Sequence, residues 1–405
     1  MFIYKAAVVG GGAMGAEIAQ VITYSGLPVI LKEVNAELAQ KALLHIRKIY
    51  EGRVAKGKMT RDELEMKMTL VGTTTDYELL RDADLVIEAV PEKIDLKRKV
   101  FQELDLILPE QSIVATNTSA LSISALGAGT KRPDKVIGIH FFFPAHVMKL
   151  VEVIPGLATS EETVNDAIAF CETLRKLPVR VNECAGFLVN RLLMPYLNEA
   201  AFCAEEGSAS LREIDDAMVA FGFPMGPFTL VDTIGLDICH DVVGVLLEEY
   251  GNRMKPAAVW EEVYKRKRYG VKNGAGFYSY NAASENDTTV NDILKQLKQD
   301  SSAQKAPFSS ERLMLSMINE AALCIQERVS SPSDIDIAVL AGIGFPQGKG
   351  GLLQYADTLG IDVALEKLNQ LYGIYGERFF PAPLLKRMAH AGFLGKKTNR
   401  GFLEY

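Results

Sequence analysis

The chain lacks a long apolar run, an excess of basic residues and any paired-cysteine motif. Of its 405 residues, 48% are hydrophobic and 23% are charged, which is the composition of a folded protein. No apolar stretch is long enough to span a bilayer. The formal net charge of -7 argues against a general nucleic-acid binder, which needs basic residues against phosphates. We therefore expect neither a membrane span nor a nucleic-acid partner.

Cysteines are few and scattered along the sequence. The five are Cys171, Cys184, Cys203, Cys239 and Cys324, and none forms a CxxC pair. An odd number of cysteines without metal-ligand spacing predicts neither a disulfide framework nor a metal site. We interpret them as buried small side chains in a reducing compartment. Because a strand pattern already begins at Lys5, with no signal-peptide pattern before it, we expect a cytoplasmic protein.

Short, branched apolar runs alternate with helical spacing in the first part of the chain. The runs lie at 5–9, 28–31, 85–90, 112–116 and 136–139. Strands of this kind are buried on both faces of a sheet, so they predict an α/β, Rossmann-type doubly wound fold. We place this domain at residues 1–184, with a charged helical hairpin inserted at about 36–67.

The rest of the sequence is helical and repeats itself. NRLLMPYLNEAAFCAEE, from residue 190, aligns with ERLMLSMINEAALCIQE, from residue 311; FGFPMG and GFYSY then recur, in the same order, as IGFPQG and GFLEY. Ordered matches of this length predict two copies of one all-α domain. We place the copies at 185–281 and 307–405, joined by a polar linker at 282–306 that contains one helix.

A glycine-rich turn, GGGAMG, follows the first strand and opens the first helix. In this context the pattern predicts a dinucleotide site, with a pyrophosphate at the helix N-terminus. The predicted contacts of the turn are Gly10, Gly12, Ala13, Met14 and Gly15. Glu33 ends the second strand, where a carboxylate accepts hydrogen bonds from ribose hydroxyls and repels a 2′-phosphate. The cofactor predicted is therefore NAD, and strand alternation should direct Lys32 to the opposite face.

His140 and Glu152 form the second candidate constellation. His140 follows the strand at 136–139, and Glu152 lies 12 residues later within the apolar run LVEVI. A buried carboxylate needs a partner, and an imidazole fits, because the carboxylate orients the ring and stabilises its protonated form. Beside a nicotinamide, the pair would suit alcohol oxidation. The alternative is an ordinary histidine at the end of a strand.

These motifs carry a resemblance to a known family. GGGAMG, IEAVPE, TNTSALSI, HFFFP, KLVEVIPG and AGFLVNRLL occur in the order found in L-3-hydroxyacyl-CoA dehydrogenases of fatty-acid β-oxidation. The whole chain resembles the form with a duplicated C-terminal domain, as in the multifunctional β-oxidation enzymes. The resemblance implies NAD-dependent oxidation of an L-3-hydroxyacyl-CoA to the 3-ketoacyl-CoA, in fatty-acid or butanoate-type metabolism.

The resemblance also implies roles for individual residues. It makes His140 the catalytic base and Glu152 its acidic partner, and it places Ser119 and Asn190 against the reacting oxygen and thioester of the substrate. Positions that would line the nicotinamide half of NAD are Ala89, Glu92, Lys97 and Asn117. The basic tip of the inserted hairpin, Arg53, Lys56 and Lys58, would meet the CoA nucleotide; a solvated charged face is the alternative reading of that tip.

Two features depart from the usual pattern or extend it. Phe143 stands where the family has asparagine, and we expect its ring to narrow or dry the pocket beside His140. Asn190 is matched by Glu311 in the second copy, so only the first copy can complete the site. The second copy would then replace a partner subunit, which predicts a monomer or weak dimer.

One partner and two alternative functions stay open at this point. A separate enoyl-CoA hydratase is a potential partner, because no hydratase-like segment is expected in the chain. A dehydrogenase of a hydroxy acid without CoA would use the same fold. A non-catalytic NAD-binding protein would keep the glycine turn without needing His140, Glu152, Ser119 and Asn190 together.

Overall fold

The computed structural model describes residues 2–281, 287–299 and 307–405. The chain divides into two compact units, one ending at Phe187 and the other running from Leu188 to Tyr405. Part of the predicted linker at 282–306 lies outside the described residues. The exact domain boundaries stay a prediction.

The first unit is a layered α/β structure, as predicted. Its strands are β1 (Ala6–Val9), β2 (Val29–Lys32), β3 (Val71–Thr74), β4 (Leu85–Glu88), β5 (Ile113–Thr116), β6 (Val136–Phe141), β7 (Leu150–Pro155) and β8 (Leu177–Arg180). Its helices are α1 (Ala13–Tyr24), α2 (Ala36–Ala55), α3 (Arg61–Met68), α4 (Ile94–Ile107), α5 (Ile123–Gly127) and α6 (Glu161–Thr173). Val8, Ile87 and Ile139 are fully buried, which explains the continuous apolar character of these strands.

The eight strands form one sheet in the order β3-β2-β1-β4-β5-β6-β7-β8. The strands from β3 to β6 are parallel, whereas β7 runs antiparallel to β6 and β8 is parallel to β7. The sequence did not predict this reversal, since a run buried on both faces reads alike in either direction. In the antiparallel register, His140 lies directly opposite Glu152.

The inserted hairpin consists of α2 and α3. Asn35 caps α2 by accepting the Leu38 N–H, and Thr60 caps α3 in a capping box with Glu63. Gly57, with a φ of 65°, lies in the connection between the two helices. An exposed Arg47–Glu65 ion pair also joins α2 to α3.

The second unit is helical, as predicted. The helices of the first repeat are α7 (Val189–Glu205), α8 (Leu211–Phe221), α9 (Pro227–Ile234), α10 (Leu236–Tyr250) and α11 (Ala258–Lys265). After α12 (Thr289–Gln299), those of the second repeat are α13 (Ser310–Gln326), α14 (Pro332–Ala338), α15 (Leu352–Leu359), α16 (Ile361–Tyr375) and α17 (Pro383–His390). Each helix of the second repeat therefore has a counterpart in the first.

Helices α7 and α13 pack against each other, and matched ion pairs join them. Arg191 Nε donates to Glu320 Oε1 at 2.7 Å, and Arg312 Nε donates to Glu199 Oε1 at 2.7 Å. The second pair is the first shifted by the repeat offset of 121 positions, with the partners exchanged. Such exchange is the pattern of an isologous interface between two equal bodies.

Within the part of the chain that the structure describes, no helix has both the length and the apolar character needed to cross a membrane.

Candidate functional site

The glycine turn has the geometry that close approach of a ligand to the backbone requires. Gly10 has a φ of 97°, and a Cβ there would lie 2.8 Å from the Ala89 carbonyl oxygen. A Cβ on Gly15 would lie only 1.8 Å from the Gly10 carbonyl oxygen, so this helix packs too closely for any side chain. At Gly12 a Cβ would meet nothing within 4 Å, which leaves the N-terminus of α1 open to a ligand. Ala13 and Met14 form the first helical residues.

Glu33 lies beside the same turn. Its Oε1 accepts the Gly11 N–H at 2.5 Å and its Oε2 accepts the Val34 N–H at 2.9 Å. The carboxylate thus adjoins the open helix end, where it fits ribose hydroxyls and disfavours a 2′-phosphate. Lys32 is buried, and its ammonium group lies 3.8 Å from the centre of the Tyr77 ring. The residues present therefore fit NAD.

His140 and Glu152 form a buried hydrogen-bonded pair. Nδ1 of His140 lies 2.7 Å from Oε2 of Glu152, and their side chains are 6% and 1% exposed. Because the two residues are opposite each other on β6 and β7, the sheet itself sets the geometry of the pair. The described residues of the first unit provide no hydrogen-bond partner for His140 Nε2. That nitrogen can therefore exchange a proton with a ligand.

The aromatic run after His140 divides between packing and exposure. The Phe142 ring lies 4.6 Å and the Phe187 ring 5.8 Å from the imidazole, measured between centroids. Phe143 is 65% exposed. Phe142 therefore packs beside His140, whereas the chain turns after β6 and exposes the Phe143 side chain. The effect of Phe143 on the pocket stays a prediction.

The nicotinamide-lining candidates lie at the carboxyl ends of β4 and β5. The Asn117 Oδ1 accepts the Phe141 N–H at 2.8 Å, which joins the end of β5 to that of β6. Glu92 accepts the Ser119 N–H at 2.9 Å and the Thr118 hydroxyl. Ala89 lies against Gly10, as described above. The carboxyl-terminal ends of the central strands therefore bring together the glycine turn, Ala89, Asn117 and His140.

A buried acid at these strand ends was not singled out from the sequence. Glu88 is fully buried at the end of β4, where it accepts from Lys97 Nζ at 2.8 Å and from the Thr116 hydroxyl at 2.6 Å. Lys97, itself 1% exposed, also lies 3.3 Å from Glu92. The signal was available, since a glutamate that ends a buried strand needs a cation. Lys97 thus compensates the buried charge of Glu88 and lies close to Glu92.

The remaining candidates lie elsewhere. Asn190 is in the first turn of α7, in the second unit. Lys56 and Lys58 are exposed at the tip of the hairpin. Arg53 is half-buried, with its guanidinium 4.2 Å from the centre of the Tyr24 ring and donating to the Tyr24 hydroxyl at 2.6 Å.

A glycine turn that fits NAD, beside a buried imidazole–carboxylate pair, defines a nicotinamide-dependent oxidoreductase. The NAD-binding domain of 3-hydroxyacyl-CoA dehydrogenase matches residues 5–184, and the C-terminal domain matches 186–280 and again 308–405. The chain belongs to the 3-hydroxyacyl-CoA dehydrogenase family, as its motifs predicted. NAD is therefore its cofactor.

Relatives of known name support this assignment. The chain is 40% identical over 394 residues to the fatty acid oxidation complex subunit alpha of Shewanella amazonensis, covering 96% of this chain and 56% of that protein. A second relative, from Shewanella oneidensis, is 39% identical over 392 residues. The chain thus spans little more than half the length of these relatives.

Solved structures show the same architecture. The 3-hydroxybutyryl-CoA dehydrogenase of Escherichia coli K12 has a TM-score of 0.87 and 30% identity, covering 96% of this chain and 99% of its own. The (S)-3-hydroxybutyryl-CoA dehydrogenase of Ralstonia eutropha has a TM-score of 0.68 and 38% identity, covering 69% of this chain and 99% of its own. The first comparison therefore extends over nearly all of both chains.

Proposed function

We propose that this protein oxidises the 3-hydroxyl group of an L-3-hydroxyacyl-CoA to a ketone, as a step of fatty-acid β-oxidation or butanoate-type metabolism. The observation that carries the proposal is the cross-strand His140–Glu152 pair, at the edge of the sheet where the glycine turn also lies. Family membership supports the substrate class.

The chemistry assigned to the pair follows from its geometry. Glu152, bound to Nδ1, keeps the Nδ1 proton in place in neutral His140, so that Nε2 carries a lone pair. Nε2 takes the proton of the substrate hydroxyl, and Glu152 stabilises the imidazolium that results. In the reverse direction the imidazolium is the acid. NAD, when bound, supplies the hydride acceptor.

Other residues have supporting roles in this proposal. Ser119 and Asn190 bind the reacting oxygen and the thioester, and the exposed Lys56 and Lys58, with Arg53, meet the phosphates of CoA. These three basic residues could equally form an ordinary solvated surface, so the substrate assay must include the free acid, which lacks CoA.

The first experiment measures NADH formed from NAD by the purified protein. The substrates are L-3-hydroxybutyryl-CoA, a longer L-3-hydroxyacyl-CoA and the two free hydroxy acids. We expect turnover of a CoA ester and little of its free acid. Turnover of the free acids instead would contradict the proposed substrate class and favour a dehydrogenase without CoA; NAD binding with no turnover would favour a non-catalytic protein.

We also propose that the protein is a monomer or a weak dimer. The matched ion pairs between α7 and α13 support this, because the second repeat meets the first as one subunit meets another in an isologous dimer. Light scattering at several concentrations tests the proposal. A stable tetramer at the lowest concentration would contradict it.

Two further proposals concern the cell. None of the five cysteines forms a disulfide, which agrees with a reducing compartment, so we propose that the protein is cytoplasmic. We also propose a separate enoyl-CoA hydratase as a partner, because hydration of an enoyl-CoA yields the 3-hydroxyacyl-CoA that this reaction would consume. Co-elution of the protein with a candidate hydratase would test that association.

A further inference from the structure

Glu17 is a charged residue within the apolar helix α1, two residues after Gly15. It is 3% exposed, whereas its neighbours Ala16 and Ile18 are the kind of residue that a buried helix face requires. Burying an ionised carboxylate is costly unless hydrogen bonds or charges compensate for it. Glu17 therefore requires a structural or functional explanation that the glycine turn does not provide.

The carboxylate binds the turn that follows the His140 strand. Glu17 Oε2 accepts the Ala145 N–H at 2.5 Å, a bond between residues 128 positions apart. Ala145 itself is 1% exposed. The helix that carries the glycine turn is thus bonded directly to the segment 142–148, which begins immediately after β6.

A second buried charged residue, Lys176, binds the carbonyl group of Ala145. Lys176 Nζ donates to the Ala145 carbonyl oxygen at 2.5 Å and to the Met148 carbonyl oxygen at 2.7 Å. The polar groups of Ala145 thus lie between a buried acid and a buried base. Lys176 is 9% exposed, and this burial lowers its pKa to about 8.

Two imidazoles flank the same carboxylate. His146 Nδ1 lies 3.3 Å from Glu17 Oε2, and His45 Nε2 lies 3.7 Å from Oε1. Both ring nitrogens are shielded from water. Glu17 therefore joins α1 and α2 to the segment 142–148 within one cluster.

We propose that Glu17 is a positioning residue for the dehydrogenase reaction: with Lys176 it clamps Ala145 from both sides and so holds the segment after His140 in register with the cofactor-binding helix. The inference rests on the proposed function for its effect on turnover, but not for its effect on the segment itself. Small displacements near a reacting pair reduce rates severely, which is why such a clamp matters.

The test compares Glu17→Ala with Glu17→Gln, which keeps an oxygen to accept the Ala145 N–H. Glu110→Ala, at an exposed carboxylate far along the chain, is the control. Hydrogen exchange of the segment 142–148, measured by mass spectrometry, and kcat are the readouts. Glu17→Ala should speed exchange in this segment and lower kcat about tenfold, with the Kd for NAD within about twofold. In Glu17→Gln, hydrogen exchange of the segment and kcat should both stay close to the wild-type values. The control variant Glu110→Ala should change neither.

Lys176→Met is the second variant, in case Glu17→Ala does not fold. It releases the opposite side of Ala145 and should act in the same direction; if both single variants fold, the effects of the double variant should be less than additive. Unchanged exchange in 142–148 on loss of the Glu17 carboxylate would overturn the clamp. Faster exchange with normal kcat would overturn its role in turnover. If the wild type oxidises no CoA ester, the proposed function fails while the exchange result still decides the clamp.

Discussion

Both units bury ionisable side chains, but the hydrogen bonds that these side chains make differ. In the second unit Arg312 donates to Glu199, Glu206 and the Tyr375 hydroxyl, so its guanidinium is well satisfied. In the first unit His140 bonds Glu152 through Nδ1, and Nε2 has no partner among the unit's described residues. A satisfied network stabilises a fold, whereas a pair with an available nitrogen can do chemistry.

The first unit also contains a satisfied network. Glu88, Lys97 and Thr116 bond one another beneath the edge on which His140 lies. The difference is therefore between fully hydrogen-bonded networks and the His140–Glu152 pair, and not between the two units. Variants in the satisfied networks should lower stability, and variants in the His140–Glu152 pair should lower turnover.

The largest effect should come from Arg312→Met. It removes one cation from the buried Glu199 and the partly buried Glu206, while Arg378 still donates to them at 3.0 and 2.7 Å. We expect the free energy of unfolding in urea to fall by about 3 kcal/mol or more.

Two variants control this experiment. Arg191→Met, the matched variant of the other repeat, should cost a similar amount, since Arg253 remains on Glu320 as Arg378 remains on Glu199. Arg180→Met, in an exposed pair with Glu161, should cost at most about 1 kcal/mol. Equal losses for the buried and exposed pairs would show that the network contributes nothing specific.

His140→Gln should have the next largest effect, on turnover. Removing a general base lowers kcat by at least about 100-fold, equivalent to about 2.7 kcal/mol of activation free energy. The Kd for NAD should stay within about twofold, because the glycine turn is untouched. Steady-state kinetics and calorimetric NAD titration measure the two quantities. Near-normal kcat would remove His140 from the mechanism.

Glu152→Gln tests the carboxylate partner of His140. The amide keeps the size of the side chain but can no longer stabilise an imidazolium at His140, so we expect kcat to fall at least about tenfold. Thermal unfolding should show a well-folded protein. A variant with normal kcat and lowered stability would instead place this pair with the structural networks.

The last effect, which develops gradually with pH, concerns buried carboxylates that bind backbone amides instead of cations. Asp336 accepts the Leu353 N–H at 2.7 Å and the Gln354 N–H at 3.2 Å, and burial raises its pKa to about 6. The folded chain then holds this proton more tightly than the unfolded chain. Its contribution to stability is therefore present below about pH 4 and is lost as the pH rises through 6.

Asp336→Asn should remove that loss. Between pH 4 and 6 the unfolding free energy of the wild type should fall relative to the variant, by no more than about 1.4 kcal/mol for each pH unit. Urea unfolding of both proteins at several pH values measures the difference. Parallel curves would mean that Asp336 is already ionised in the folded state at low pH.

Much of the fold was predictable because its signals are local. Branched apolar runs predicted the strands, and the glycine turn followed by Glu33 predicted the NAD site. The repeated motifs predicted paired helices such as α7 and α13. In each case the pattern reports burial or backbone conformation within a few residues, which a sequence records directly.

Other features were not predictable from any local pattern. The reversal of β7 was missed, although it places Glu152 opposite His140. Glu17 and Glu88 were visible as acids in apolar surroundings, yet their partners lie in distant parts of the chain. The exposure of Phe143 depends on the path of the turn after β6, which its neighbours in sequence do not specify.

The sequence by itself determined the cofactor class, the family and the choice of His140 and Glu152, because these rest on residue types at short spacings. Only the tertiary structure decided that Ala145 lies between Glu17 and Lys176 and that Arg191 and Arg312 exchange partners between repeats. Those contacts join residues far apart in the chain, and their energies depend on burial, which exists only once the chain has folded.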